Sequence, residues 1–175
     1  MKLILAYEPA FMMAVFTVVM KAGGVITLGK ILDFQVANGM LAGSFSGCLA
    51  FIVAILCTHA KLALVPFDVP EAETEIMGGT LIEYSGAPLA LFKLTKNMML
   101  FVMPVFLIHV FLGGFRFDSA GASAGSIVKY VLLLTVFIVL RNTNPRLRID
   151  QIVKFFWGPV LAAAIVAAVL AIFGF

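Results

Sequence analysis

Five apolar runs, each a candidate for a bilayer-crossing helix, restrict this chain more than any other feature. A helix needs ~20 mostly apolar residues to span the hydrocarbon core. The runs cover roughly residues 3–25, 43–65, 88–113, 127–141 and 155–175. They are continuous rather than alternating, which excludes a transmembrane barrel. Helices remain, because they satisfy their own backbone in lipid. Composition agrees: 63% of the 175 residues are hydrophobic and 12% are charged, against about 25% charged in a soluble domain. The expected fold is an all-α integral membrane protein, one membrane domain over residues 1–175 with five transmembrane helices.

Polar residues collect in the connections. These cover residues 21–40, an acidic segment at 66–87, the Gly/Ser-rich "GGFRFDSAGASAGS" at 113–126 and the basic "RNTNPRLRIDQIVK" at 141–154. An odd number of spans puts the termini on opposite sides and the acidic and basic loops on the same side. That side gathers Lys2, Lys61, Arg141, Arg146, Arg148 and Lys154; the other gathers Lys21, Lys30, Arg116 and Lys129. The positive-inside rule then predicts a cytoplasmic acidic loop. The basic residues are scattered and lack stacking aromatics, which argues against nucleic acid. No signal-peptide cleavage pattern follows Met1, and the first apolar run begins almost at once. Cys48 and Cys57 share one apolar run with no His or Cys at metal spacing, and read as small core residues. Gly23-Gly24, Gly78-Gly79 and Gly113-Gly114 read as hinge or close-packing glycines rather than phosphate loops.

The acidic segment, "PFDVPEAETEIMGGTLIEYSG" from Pro66 to Gly86, holds Asp68, Glu71, Glu73, Glu75 and Glu83, more than half of the chain's nine acidic residues. One reading is plain: loops between spans are polar, Asp68 suits a helix N-cap, and Glu71 three residues on suits a capping box. The other starts from repulsion. On a helix Asp68, Glu71 and Glu75 share a face, and like charges at that spacing destabilise it. Crowded carboxylates take up and release protons nearer neutral pH than isolated ones, as the mouth of a proton path at a membrane surface requires. Glu83 and Tyr84, beside the next span, would extend such a path inward. Both readings stand on the sequence.

Other charges join the second reading. Glu8 lies at the start of the first span, on the acidic loop's side, where an unpartnered carboxylate costs about 2.5–3.5 kcal/mol. It is expected to face a protein-lined cavity or, alternatively, the interface. Lys93 and Lys96, in the first turns of the third span, either snorkel to headgroups or neutralise the acidic row. His109, placed deep in the third span, is a relay candidate beside a structural alternative. His59 ends the second span near Lys61, and Arg146 and Arg148 enforce topology or meet a partner's acids. No Ser/His/Asp arrangement, nucleotide loop, haem or iron–sulfur ligand set is present in the sequence.

At "PFDVPEAETEI…EYSG" the chain resembles the H-type membrane subunit of NADH:quinone oxidoreductase (complex I) and its counterpart in energy-converting membrane-bound NiFe hydrogenases. The likeness extends to "AYEPAFMMAV…KAGG", "FLGGF" and "RNTNPRLRIDQ", in the family's order and over essentially the whole chain. Members usually have eight spans, and this chain matches the later five; a separate chain, a lost start or a reduced branch would account for the rest. Complex I chains typically carry Gly-Tyr-His before Glu-Tyr-Ser-Gly, whereas this one reads "GGTLIEYSGAPLALF", closer to the hydrogenase branch.

The resemblance implies a non-catalytic protein that anchors a hydrophilic electron-transfer arm to the membrane and couples its chemistry to movement of H⁺ or Na⁺. Carried over by position, the path would comprise Glu8, Asp68, Glu71, Glu73, Glu75, Glu83 and Tyr84, with Lys93, Lys96 and His109 as further candidates; Arg146, Arg148 and Asp150 would meet the arm. The chain itself would hold no metal and no redox centre. Iron–sulfur clusters and a NiFe centre would sit in partners, which are the hydrogenase large and small subunits and antiporter-like membrane subunits. In the alternative, the equivalent chain of a proton-pumping quinone-reducing complex I, quinone would bind at their interface. The expected location is the cytoplasmic (inner) membrane of a prokaryote. A stand-alone transporter or scaffold is the remaining rival, disfavoured because an acidic cytoplasmic loop with no basic partner in its own chain looks like half of an interface.

Overall fold

The computed structural model describes residues 2–68, 83–117 and 119–174. All regular structure among these residues is helical. The helices are α1 (Lys2–Lys21), α2 (Leu28–Asn38), α3 (Phe45–Lys61), α4 (Ala87–Phe111), α5 (Ala120–Thr143), α6 (Ile149–Phe155) and α7 (Leu161–Ile172). A single π-helical turn, Phe156–Val160, fuses α6 to α7. Four helical stretches are long and apolar enough to cross a membrane: Leu3–Lys21, Ala87–Phe111, Ala120–Thr143 and Ile149–Ile172. The 17 residues of α3 rise about 25 Å at 1.5 Å each, near the lower limit for a span.

The core is built where small residues let backbones approach. Ala6, Ala10 and Ala14 form an i,i+4 stripe on α1; Ala50 and Ala54 face it from α3, and Ala164 and Ala167 from α7. All are buried, and α1, α3 and α7 pack on one another through them. Lipid removes the hydrophobic drive between helices, so close packing of small side chains carries the association. α4 packs on α3 and α2, and α5 chiefly on α4, leaving much of α5 exposed.

Element ends explain where the structure departs from the sequence reading. α1 closes at Lys21, four residues early, because Gly23 takes φ +77°. The N–H groups of Gly23 and Gly24 then satisfy the carbonyls of Met20 and Val19, a Schellman closure that favours glycine. The expected loop at 21–40 holds a helix, α2, whose buried Gln35 donates from Nε2 to the carbonyls of His109 and Val110 at 3.0 and 3.1 Å. Ser44 caps α3 by accepting from the Gly47 N–H. Ser119 caps α5 by accepting from Ala122, so this helix starts seven residues before Ile127. The basic loop shrinks to residues 144–148 between α5 and α6. Cys57 is buried as expected; Cys48 is exposed, since nine residues is two and a half turns and places it on the opposite face.

Candidate functional site

The site grows from the point where α3 ends and the acidic segment begins. α1 and α3 run antiparallel, so the start of α1 meets the end of α3. Here Lys61 Nζ lies 3.2 Å from Glu8 Oε1, each side chain about one-third exposed, and 5.4 Å from the centroid of the Phe11 ring. At the opposite end Lys21 bonds to Ser44 and Ser46, which fixes the same antiparallel register.

Beyond Lys61 the chain turns through Leu62–Asp68 and is tied down three times. His59, buried in the last turn of α3, places Nε2 2.7 Å from the Val65 carbonyl oxygen. The Leu147 N–H donates to the Pro66 carbonyl at 3.3 Å. Arg146 Nη2 donates to Asp68 Oδ2 at 2.5 Å, with Asp68 only 8% exposed. Phe67, between these ties, is buried against the rings of His59, Phe155 and Phe156 at 6.0, 6.2 and 5.1 Å. Phe137 stacks on His59, and Tyr7 meets Phe156 edge-on. The root of the acidic segment therefore rests on a buried aromatic layer. The two ion pairs, Glu8–Lys61 and Asp68–Arg146, stand at this same end of the bundle.

The structure brings together part of what the sequence singles out. Glu8 and Asp68 both reach this end, and the acidic and basic loops share a side, joined by Arg146 and Leu147. Glu71, Glu73 and Glu75 lie outside the described residues. Glu83 and Tyr84 are exposed ahead of α4, Tyr84 packing on Phe92 at 5.1 Å. Lys93 is exposed and Lys96 half-buried on α4. His109 sits at the far end of α4, its Nδ1 2.8 Å from the Val105 carbonyl. It lies 22 residues along α4 from Ala87, or ~33 Å of helical rise. Arg148 and Asp150 are exposed around the start of α6, where the Arg148 N–H donates to Gln151 Oε1. Arg146, read from sequence as facing a partner, is engaged with Asp68, so the acidic segment does have a basic partner in its own chain, supplied by the α5–α6 loop that the fold brings beside it.

Two residues of the site escape the sequence argument. In the sequence Lys61 is only one more basic residue of its side, although Glu8 and Lys61 stand at helix ends that the fold brings together. His59 gave no signal of burial, because its packing comes from Phe137 on α5 and from Phe67 in the turn beyond α3. Among the described residues, no group of three or more His, Cys, Asp or Glu is arranged to hold a metal ion.

The sequence model of the NADH dehydrogenase family matches residues 1–172. This chain belongs to that family. Among its curated relatives, the H subunit of NADH-quinone oxidoreductase from Geobacillus thermodenitrificans (strain NG80-2) is 34% identical over 170 residues, covering 95% of this chain and 50% of the relative. The H subunit of the Salinibacter ruber enzyme (strain DSM 13855 / M31) is 30% identical over 192 residues, covering 97% and 54%. The chain spans about half the length of the curated relatives it matches. Among solved structures, one chain of the membrane-bound sulfane sulfur reductase, an archaeal respiratory membrane complex, superposes with TM-score 0.88 at 25% identity. That match covers 97% of this chain and 57% of the other. This member of the NADH dehydrogenase family is thus a helical membrane protein with an acidic and a basic loop bound together at one end of its bundle.

Proposed function

We propose that this chain is the membrane anchor and ion-translocation coupling subunit of an energy-converting, membrane-bound NiFe hydrogenase. That complex is ferredoxin-linked and H₂-evolving, and moves H⁺ or Na⁺ across the cytoplasmic membrane of a prokaryote. The likeness over 97% of this chain to a chain of the membrane-bound sulfane sulfur reductase supports a subunit of a respiratory membrane complex, and the sequence resemblance to the hydrogenase branch carries the finer assignment. The acidic segment supports it too: Asp68 roots that segment against the basic α5–α6 loop, an arrangement suited to receiving a soluble arm. The "GGTLIEYSG" segment, without a Tyr-His pair, points the same way.

In this reading electrons pass through iron–sulfur and NiFe centres held by the large and small partner subunits. This chain's own residues do the membrane work. The carboxylates of the acidic segment, Glu71, Glu73, Glu75 and Glu83, accept and release the ion at the surface. Asp68 holds the segment's root, and Glu8 continues the path into the bundle toward antiporter-like subunits. Exposed Arg148 and Asp150 offer the arm a polar edge. The curated relatives favour a second reading, the H-type membrane subunit of a quinone-reducing complex I.

A mild-detergent pull-down of the tagged native chain, with mass spectrometry of its partners and a nickel assay, decides between them. Nickel with a NiFe large subunit is the expected result. NADH-oxidising flavoprotein partners without nickel would overturn it in favour of complex I.

A further inference from the structure

A carboxylate set into the first span needs a partner or a polar lining, and α3 supplies one to Glu8. We infer that Lys61 is a positioning residue of the ion path, fixing where the Glu8 carboxylate stands and which way it points. The inference rests on the proposed role of Glu8 in translocation. A lysine in the last turn of a span ordinarily extends outward to the headgroups. Lys61 instead folds back across α1, its ammonium 3.2 Å from Glu8 Oε1 and 5.4 Å from the Phe11 ring centroid. Glu8 and Phe11 lie one turn apart on the same face of α1, so one ammonium clamps both. An ion pair whose side chains are 30% and 33% exposed adds little to folding stability. What it supplies is geometry, a carboxylate held at the crossing of α1 and α3 on the side where the acidic segment leaves.

Membrane vesicles carrying the assembled complex provide the test. Uptake driven by reduced ferredoxin is read with a pH-sensitive dye and with radioactive sodium, normalised to complex content. Lys61→Met is expected to lower uptake about fivefold, the factor carried by loss of roughly one ordinary, partly exposed hydrogen bond. Lys61→Arg restores most of it. In a Glu8→Gln background, Lys61→Met is expected to add no further loss. Should Lys61→Met fail to assemble on a native gel, Lys61→Gln makes the same comparison. The inference is overturned by native uptake in Lys61→Met, by a loss that arginine does not repair, or by an undiminished loss in Glu8→Gln. Full uptake in Glu8→Gln alone marks a different failure, that of the path itself, and takes the inference with it.

Discussion

Replacing Arg146 by methionine keeps the length and apolar stem of the side chain and removes the guanidinium that meets Asp68. The carboxylate left behind belongs to a buried residue. Breaking a fully buried pair costs about 3–5 kcal/mol, while a surface pair is worth ~0–1 kcal/mol. Here the Asp68 side chain is 11% exposed and that of Arg146 32%, so the cost falls between, at about 2 kcal/mol. That is roughly a thirtyfold shift in the folded-to-unfolded ratio. For a chain of this size it lowers the melting temperature by roughly 4–8 °C. The assay is thermal melting of the detergent-solubilised complex, followed by loss of the tagged chain from the monodisperse chromatographic peak. Asp68→Asn should cost less, since an amide oxygen still accepts a hydrogen bond. Combined with Arg146→Met it should lose less than the sum of the two single variants, because the Asp68 carboxylate is then no longer stranded. Lys30→Met, at an exposed position of α2, should stay within about 0.5 kcal/mol of the native protein. A native melting curve for Arg146→Met, or strictly additive losses in the double variant, would refute the claim that this pair fixes the root of the acidic segment.

Three further outcomes follow from the same geometry. Phe67→Ala should cost about 3–5 kcal/mol by emptying the aromatic layer under the root, with Phe67→Leu recovering much of it; equal melting temperatures for the two would contradict the packing. Gln35→Leu should release α2 from the end of α4, speeding amide exchange over Leu28–Asn38 about tenfold by hydrogen-exchange mass spectrometry, as loss of two hydrogen bonds implies. Glu75→Gln should leave assembly intact and slow or uncouple ion translocation in vesicles; full activity with full coupling would remove Glu75 from the path.

The bundle was legible because lipid forces it: uninterrupted apolar length alone located the spans, and the shared side of the acidic and basic loops followed from counting them. What the sequence concealed depends on contacts distant in the chain. α2 is short, carries Lys30 and Asp33 on an exposed face, and declares itself only where Gln35 reaches the carbonyls of α4. The early start of α5 hides behind Gly121 and Gly125, poor helix formers that Ser119 nevertheless caps. The π turn at Phe156–Val160 contains Pro159, whose missing N–H disturbs the regular ladder without ending the helix. At the site, the acids stood out because acids are rare here; their partners did not, because Lys61 and Arg146 look like any membrane-flanking base until the fold sets them on Glu8 and Asp68.

The pairing of Asp68 with Arg146 has a consequence for how a partner would act on this chain. A loop tethered only at its own ends follows whatever touches it and transmits little. Here the beginning of the acidic segment is bonded to residues 146–147 by an ion pair and a backbone hydrogen bond, and its Phe67 is wedged between α3 and the α6–α7 helix. The α5–α6 loop and the acidic root therefore form one connected surface. A partner docking on Arg148 and Asp150 would bear on the acidic segment through Arg146 and Asp68 without touching it. Glu8 and Lys61 lie at the same end, so under the proposed function contact surface and ion entrance are two sides of one structure. Under that same proposal, one short segment holds more than half of the chain's nine acidic residues because it serves both purposes.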